Sequence, residues 1–145
     1  YFTVYGPRQR PDMAFHRFFR FLLEDRSIPI YGDGEQTRDF TFIDDIVEAN
    51  ILASQTSVVG EALNIGGGTT VTLKDAIVVC EEVSGKRARL DLHPVEKGDV
   101  RQTLADVSRA RQYLSYQPRI QLREGLAAEW QWVRDLYSRA ESLQG

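Results

Sequence analysis

The chain has little of several things. It has one cysteine, one methionine, two histidines and five prolines in 145 residues. A single cysteine, Cys80, cannot close an internal disulfide, so a disulfide scaffold is excluded; its setting in IVVCEEV reads as a buried helix position in a reducing compartment. His16 and His93 lie far apart, and with Cys80 they do not make metal-ligand spacing. No apolar run approaches the roughly 18 residues that a membrane helix needs. Neither sign of charge dominates: 18 basic and 21 acidic residues leave a net charge of −3, which argues against a mainly electrostatic nucleic-acid binder. Low-complexity stretches and internal repeats are missing too. What remains is an ordinary globular composition, 42% hydrophobic and 10% aromatic, enough for about one core.

The opening YFTVY is apolar, aromatic and β-branched, and reads as a buried strand. It carries no initiator methionine and no signal-peptide pattern, so a piece of a longer protein is expected. Gly6-Pro7 ends the strand. Asp12 is placed to cap a helix over 13–26, with Phe15, Phe18, Phe19, Leu22 and Leu23 on one face; that stripe reads as core. IPIY (28–31), RDFTFI (38–43), EALNI (61–65) and ARLDLH (88–93) read as strands. Helices are expected from Asp44 to Gln55, from Thr72 to Val83 behind a capping box, over 107–114 after Asp106, and over 122–143. Strands mixed with helices predict an α/β fold without a clear internal boundary.

Three polar loops invite an anion. Arg8-Gln9-Arg10 precedes a helix start, where bidentate donors and free N–H groups suit a phosphate or carboxylate; a solvated loop is the equal alternative. Arg38 sits among Glu35, Asp39 and Asp44, and an ion pair with Asp39 or Asp44 is the plain reading. Asp99 and Arg101 form a weaker third candidate. The Gly66-Gly67-Gly68 run lacks the spacing of a dinucleotide loop, since Val71 stands where the last glycine belongs, and reads as a tight turn. His16, beside Arg17 on the polar side of its helix, reads as a surface or packing residue, as does His93. No nucleophile motif is present.

Taken in order, YFTVYGPRQRPDMAFHRF, GDGEQTRDFTFIDDIVEAN, NIGGG, KGDVRQTLADVSRARQYLSYQP and EGLAAEWQWV resemble the C-terminal, substrate-binding portion of extended short-chain dehydrogenases/reductases. The nearest likeness is to NAD-dependent nucleotide-sugar epimerases, with Thr3 and RPDMA similar to the UDP-glucuronate 4-epimerase branch. The resemblance implies a few strands of a severed Rossmann sheet plus a small mixed α/β substrate-binding region over 1–145. It also implies that the Rossmann half, with its NAD loop and Tyr-x-x-x-Lys pair, is absent. No tyrosine here has lysine four residues on, so no catalytic residue is assigned. By the same resemblance, Tyr1, Phe2 and Val4 neighbour NAD. Thr3 and Arg10 face the sugar carboxylate, and Met13, Ala14 and Phe15 line the nucleotide. Pro29 and Tyr31 flank uracil, Arg38 grips the diphosphate, and Asp99 meets the ribose or steadies Arg38. Glucose-type epimerases often carry arginine where Glu96 stands, which leaves a second diphosphate arginine open unless Arg101 substitutes. The implied parent is a cytoplasmic, homodimeric UDP-sugar 4-epimerase, and this piece would be inactive alone. The competing expectations are a dehydratase or decarboxylase on the same fold, and a non-catalytic binding or assembly domain.

Overall fold

The computed structural model describes every residue except 96, 97, 99 and 143–145, and side chains as far as residue 139. Asp99 and Glu96 therefore lie outside the described residues. The elements run β1 (Thr3–Tyr5), α1 (Ala14–Leu23), β2 (Ile28–Tyr31), β3 (Thr37–Arg38), β4 (Phe40–Phe42) and α2 (Ile43–Gln55). They continue with β5 (Val71–Thr72), α3 (Leu73–Ser84), β6 (Leu90–His93), α4 (Ser108–Leu114) and α5 (Leu122–Ser142). The strands pair two by two: β1 with β4 and β2 with β6 in parallel, β3 with β5 antiparallel. This is the expected α/β mixture. Parallel pairs need crossovers, and α1 lies between β1 and β4 in sequence.

The β1–β4 ribbon separates two cores. On one side, Tyr5 and Phe42 pack with Phe15, Phe18, Phe19 and Leu22 of α1, with Ala76, Ile77 and Cys80 of α3, and with Leu126, Trp130 and Val133 of α5. The aromatic stripe of α1 is core, as its spacing requires. On the other side, Phe2 and Val4 lie against Ile46 and Ala49 of α2, Ala110 and Leu114 of α4, and Tyr116. The alternation of β1 explains the split: residues 2 and 4 point one way, residue 5 the other. Close packing is strict at Gly125, where an added Cβ would stand 2.4 Å from the Tyr5 hydroxyl.

Four local expectations need correction. Asp12 does not cap α1: the N-cap is Met13, without a side-chain bond, because Asp12 is taken up by Arg10 at 2.9 Å. EALNI is not a strand; its link to β1 is one backbone bond from Phe2 N–H to the Ile65 carbonyl, and a single bond does not make a ladder. The alternation of ARLDLH predicts one buried face for β6, but Leu90 and Leu92, which share a face, are both exposed. His16 is buried, not on a polar face, because Gln9 and Tyr137 satisfy both ring nitrogens. By contrast, Thr72 does cap α3, accepting from Asp75 N–H, and Gly85 closes it in the left-handed region.

Candidate functional site

β1 ends in a turn, Gly6 to Gln9, closed by a bond from Gln9 N–H to the Gly6 carbonyl. The chain then enters α1 through Arg10–Met13. This crossing of strand end and helix start forms two adjoining clefts that share Thr3 and Met13. The first, about 540 Å³, is walled by residues 1–10 together with Met13 and Ile43. The second, about 320 Å³, runs between the α1 start, with Met13, Ala14 and Arg17, and the strands carrying Pro29, Tyr31, Arg38 and Phe40. A larger cavity of about 600 Å³, between residues 67–69 and the 117–122 segment, contains none of the sequence-predicted site residues.

The predicted residues divide clearly between these places. Tyr1, Phe2, Val4 and Arg10 line the first cleft; Ala14, Pro29, Tyr31 and Arg38 line the second; Thr3 and Met13 line both. Phe15 lines neither, being fully buried in the core beneath α1. Arg101 lines neither as well: it pairs with Asp33 at 3.0 Å, and the Glu35 amide, followed by Arg101, holds the Asp33 carboxyl below its ordinary range. Sequence reasoning missed Arg17, Asp12 and Gln36 in the second cleft. For Arg17 a signal existed, since it follows Met13 by four residues and Ala14 by three on one helical face.

Within the second cleft, Arg38 sits on β3 opposite Val71 and donates to the Thr37 carbonyl at 2.9 Å. Its supposed partner Asp39 is committed elsewhere. Asp39 is fully buried, and its carboxylate accepts from Gly67 N–H at 2.6 Å, Gly68 N–H at 3.2 Å and Ala105 N–H at 3.1 Å. The glycine run is thus a cradle for an anion, and the anion is the chain's own side chain. Glycine is required there: a Cβ on Gly67 would meet the Phe40 carbonyl at 2.5 Å, and one on Gly66 would meet Ala105 at 2.3 Å. Tyr31 forms a ring wall, stacked on His93 at 5.3 Å, with His93 held by Asp91 at 3.0 Å. Gln36 donates to the Tyr31 carbonyl at 3.1 Å.

Chemically, the second cleft offers two guanidiniums, the start of a ten-residue helix with no acid in its first turn, and a flat aromatic wall. That set suits an aromatic ring joined to an anion such as a phosphate. The first cleft offers main chain and half-buried apolar side chains beside Thr3, with Arg10 at its mouth. Such a lining suits a flat, weakly polar ring. The glycine run at 66–68 lies outside this cleft and is filled by Asp39. Among the described residues, no group of histidine, cysteine or acidic side chains could hold a metal, and no helix is long and apolar enough to cross a membrane.

Comparison with known proteins bears on the family. The NAD dependent epimerase/dehydratase family matches residues 1–66. The uncharacterized UDP-glucose epimerase YtcB of Bacillus subtilis is 41% identical over 94% of this chain and 44% of its own length. A UDP-glucuronate 4-epimerase of Thermodesulfobacterium geofontis is 39% identical over 99% of this chain and 45% of its own. The crystal structure of UDP-glucuronic acid 4-epimerase from Bacillus cereus, in complex with UDP-glucuronic acid and NAD, superposes with a TM-score of 0.91 at 47% identity, covering 94% of this chain and 44% of that one. The chain thus spans a little under half the length of these relatives. Residues 1–66 thus match the NAD dependent epimerase/dehydratase family, and the chain as a whole is similar to the C-terminal portion of extended short-chain dehydrogenase/reductase epimerases.

Proposed function

We propose that this chain is the UDP-sugar-holding part of an NAD-dependent nucleotide-sugar 4-epimerase of the UDP-glucuronate type. The observation that carries the reading is the second cleft, where Arg17, Arg38, the α1 start and Tyr31 converge. In this reading Tyr31 and Pro29 flank the uracil ring. Arg38 and Arg17, from opposite walls, bracket the diphosphate, a role for which Arg101 is displaced by its pairing with Asp33. Thr3 and Met13, shared by both clefts, stand where the sugar passes from one to the other. Arg10 is exposed and, among the described residues, tied to Asp12 and the Met13 sulfur, so its guanidinium can exchange Asp12 for a sugar carboxylate. Tyr1, Phe2 and Val4 form the face toward NAD, which supplies hydride chemistry when bound. The remainder of the enzyme supplies the proton-transferring pair.

The test is a calorimetric titration of the chain with UDP. Saturable binding that disappears in Arg38→Ala is expected. A folded chain that takes up no UDP would overturn the reading. The uronate assignment is tested separately: Arg10→Ala should bring the affinities for UDP-glucuronate and UDP-glucose together, and an unchanged ratio would refute it.

A further inference from the structure

Glu129 is an acid in the middle of an amphipathic helix, among residues that face the core. Its side chain is fully buried. Oε2 accepts from Gly6 N–H at 2.8 Å, and Oε1 has no hydrogen-bond partner among the described residues. A buried carboxyl oxygen without a partner is costly, and in a native fold it calls for a reason. The groups facing it are Tyr5 on β1 and Cys80 on α3, both neutral and both pushed upward by burial and by Glu129 itself. Asp45 of α2 and Glu124 of α5 add negative charge near Tyr5, and Glu81 of α3 near Cys80. Burial pushes the Glu129 carboxyl up to about 8, against the pull of the Gly6 hydrogen bond.

What Glu129 holds is the hinge of the first cleft. Gly6 has φ +132°, and a Cβ there would meet Ile43 at 2.7 Å, so the turn requires glycine at this point. The far end of the turn is also tied to α5. Gln9 donates to the Val4 carbonyl and accepts from His16 N–H, while the His16 ring bridges the Gln9 carbonyl, at 2.9 Å, and the Tyr137 hydroxyl, at 3.1 Å. A carbonyl only accepts, so the His16 Nδ1 that faces Gln9 carries a proton. Between these two anchors lies the segment that joins Thr3 to Arg10.

We propose that Glu129 is a positioning residue for this site: through the Gly6 amide it sets where the loop bearing Arg10 stands relative to Thr3, and charging its carboxyl moves that loop. The inference rests on the proposed role of Arg10 in meeting a sugar carboxylate. Physically, loss of the proton places an uncompensated charge among Tyr5, Cys80 and apolar side chains. Among the described residues it is hydrogen-bonded by the Gly6 N–H, whose bond becomes charge-assisted and shorter. The turn then adjusts around Gly6, since α5 is fixed by Gly125 against Tyr5.

The experiment is ¹⁵N NMR of the chain across about pH 5.5 to 9.5, with and without Glu129→Gln, followed by titrations with UDP-glucuronate and UDP. The amides of Gly6, Arg8 and Arg10 should move together with a midpoint near 8 and stay still in Glu129→Gln. The ratio of the two Kd values should change about threefold or more over the same interval in the unmodified chain alone. A Gly6 amide that does not titrate, or titrates equally in the variant, overturns the proposal. So does a Gly6 titration that leaves Arg10 still and the Kd ratio constant, which would make Glu129 merely structural. If no UDP binds at any pH, the functional reading falls, and the Arg8 and Arg10 amides still decide whether Glu129 positions the loop.

Discussion

Replacing Asp39 with alanine removes an anion from the middle of the fold. The carboxylate accepts three backbone N–H groups from two loops, at 2.6, 3.2 and 3.1 Å, and is itself fully buried. Hydrogen bonds to a charged acceptor contribute about 1.5–3 kcal/mol each net, and a buried donor left without a partner costs about 1–3 kcal/mol. The three bonds share one acceptor and do not add fully. The expected loss for Asp39→Ala is therefore about 4–6 kcal/mol, a large part of the roughly 5–15 kcal/mol that holds a domain together. Asp39→Asn keeps one acceptor oxygen but turns an NH₂ toward a backbone donor, so about 2–4 kcal/mol is expected. Urea unfolding followed by circular dichroism reads both: the midpoint should fall with the slope unchanged. A loss below about 1 kcal/mol for Asp39→Ala would show that the cradle does not depend on its anion, and would reopen the glycine run as a site for an external phosphate.

Arg17→Ala should weaken UDP about tenfold while leaving uridine affinity unchanged; equal losses for both would move Arg17 away from the phosphates. Gly125→Ala places a methyl group 2.4 Å from the Tyr5 hydroxyl and 2.6 Å from Phe42, and should cost about 1–3 kcal/mol in thermal unfolding. Cys80, fully buried with its thiol pushed up by burial, should react with a thiol reagent only at the rate of global unfolding. Stability should fall as pH rises from about 5 to 8: the folded state keeps the Glu129 proton up to about 8, whereas the unfolded chain releases it at the ordinary 4.5. Thermal melts of Glu129→Gln should lack that slope, and an equal slope in both would assign it to other groups.

The parts of the fold that were legible in the sequence are those decided locally. IPIY is a strand because it is apolar and bounded, and α1 shows its buried face through the spacing of its phenylalanines. Thr72 and Asp75 mark a helix start by their own chemistry. Local signals failed where long-range partners compete. Asp12 looked like a cap until Arg10 claimed it, and His16 looked exposed until Tyr137, 121 residues away, met its ring. The first cleft follows from the contiguous stretch 1–10 and was readable. The second required α1, β2 and β3 to meet, and Arg17 entered it through that meeting. Nothing in the neighbourhood of Glu129 announces a buried acid whose partner is Gly6, 123 residues away.

One regularity links these sites. Backbone N–H groups that could bind a visiting anion are filled by the chain's own carboxylates. Asp39 occupies the glycine cradle, Glu129 takes the Gly6 amide, and Asp45 takes the amides of Arg119 and Ile120 at 2.9 and 3.3 Å. All three acids are buried, so each fixes two segments far apart in sequence. The second cleft is built differently: α1 has no acid in its first turn, Asp39 is turned toward the glycine amides, and Arg17 lies over the Phe21 ring. Asp12, on its wall, is held by Arg10. In the proposed reading a diphosphate therefore settles between Arg17 and Arg38 and not at the glycine run, whose amides Asp39 already occupies.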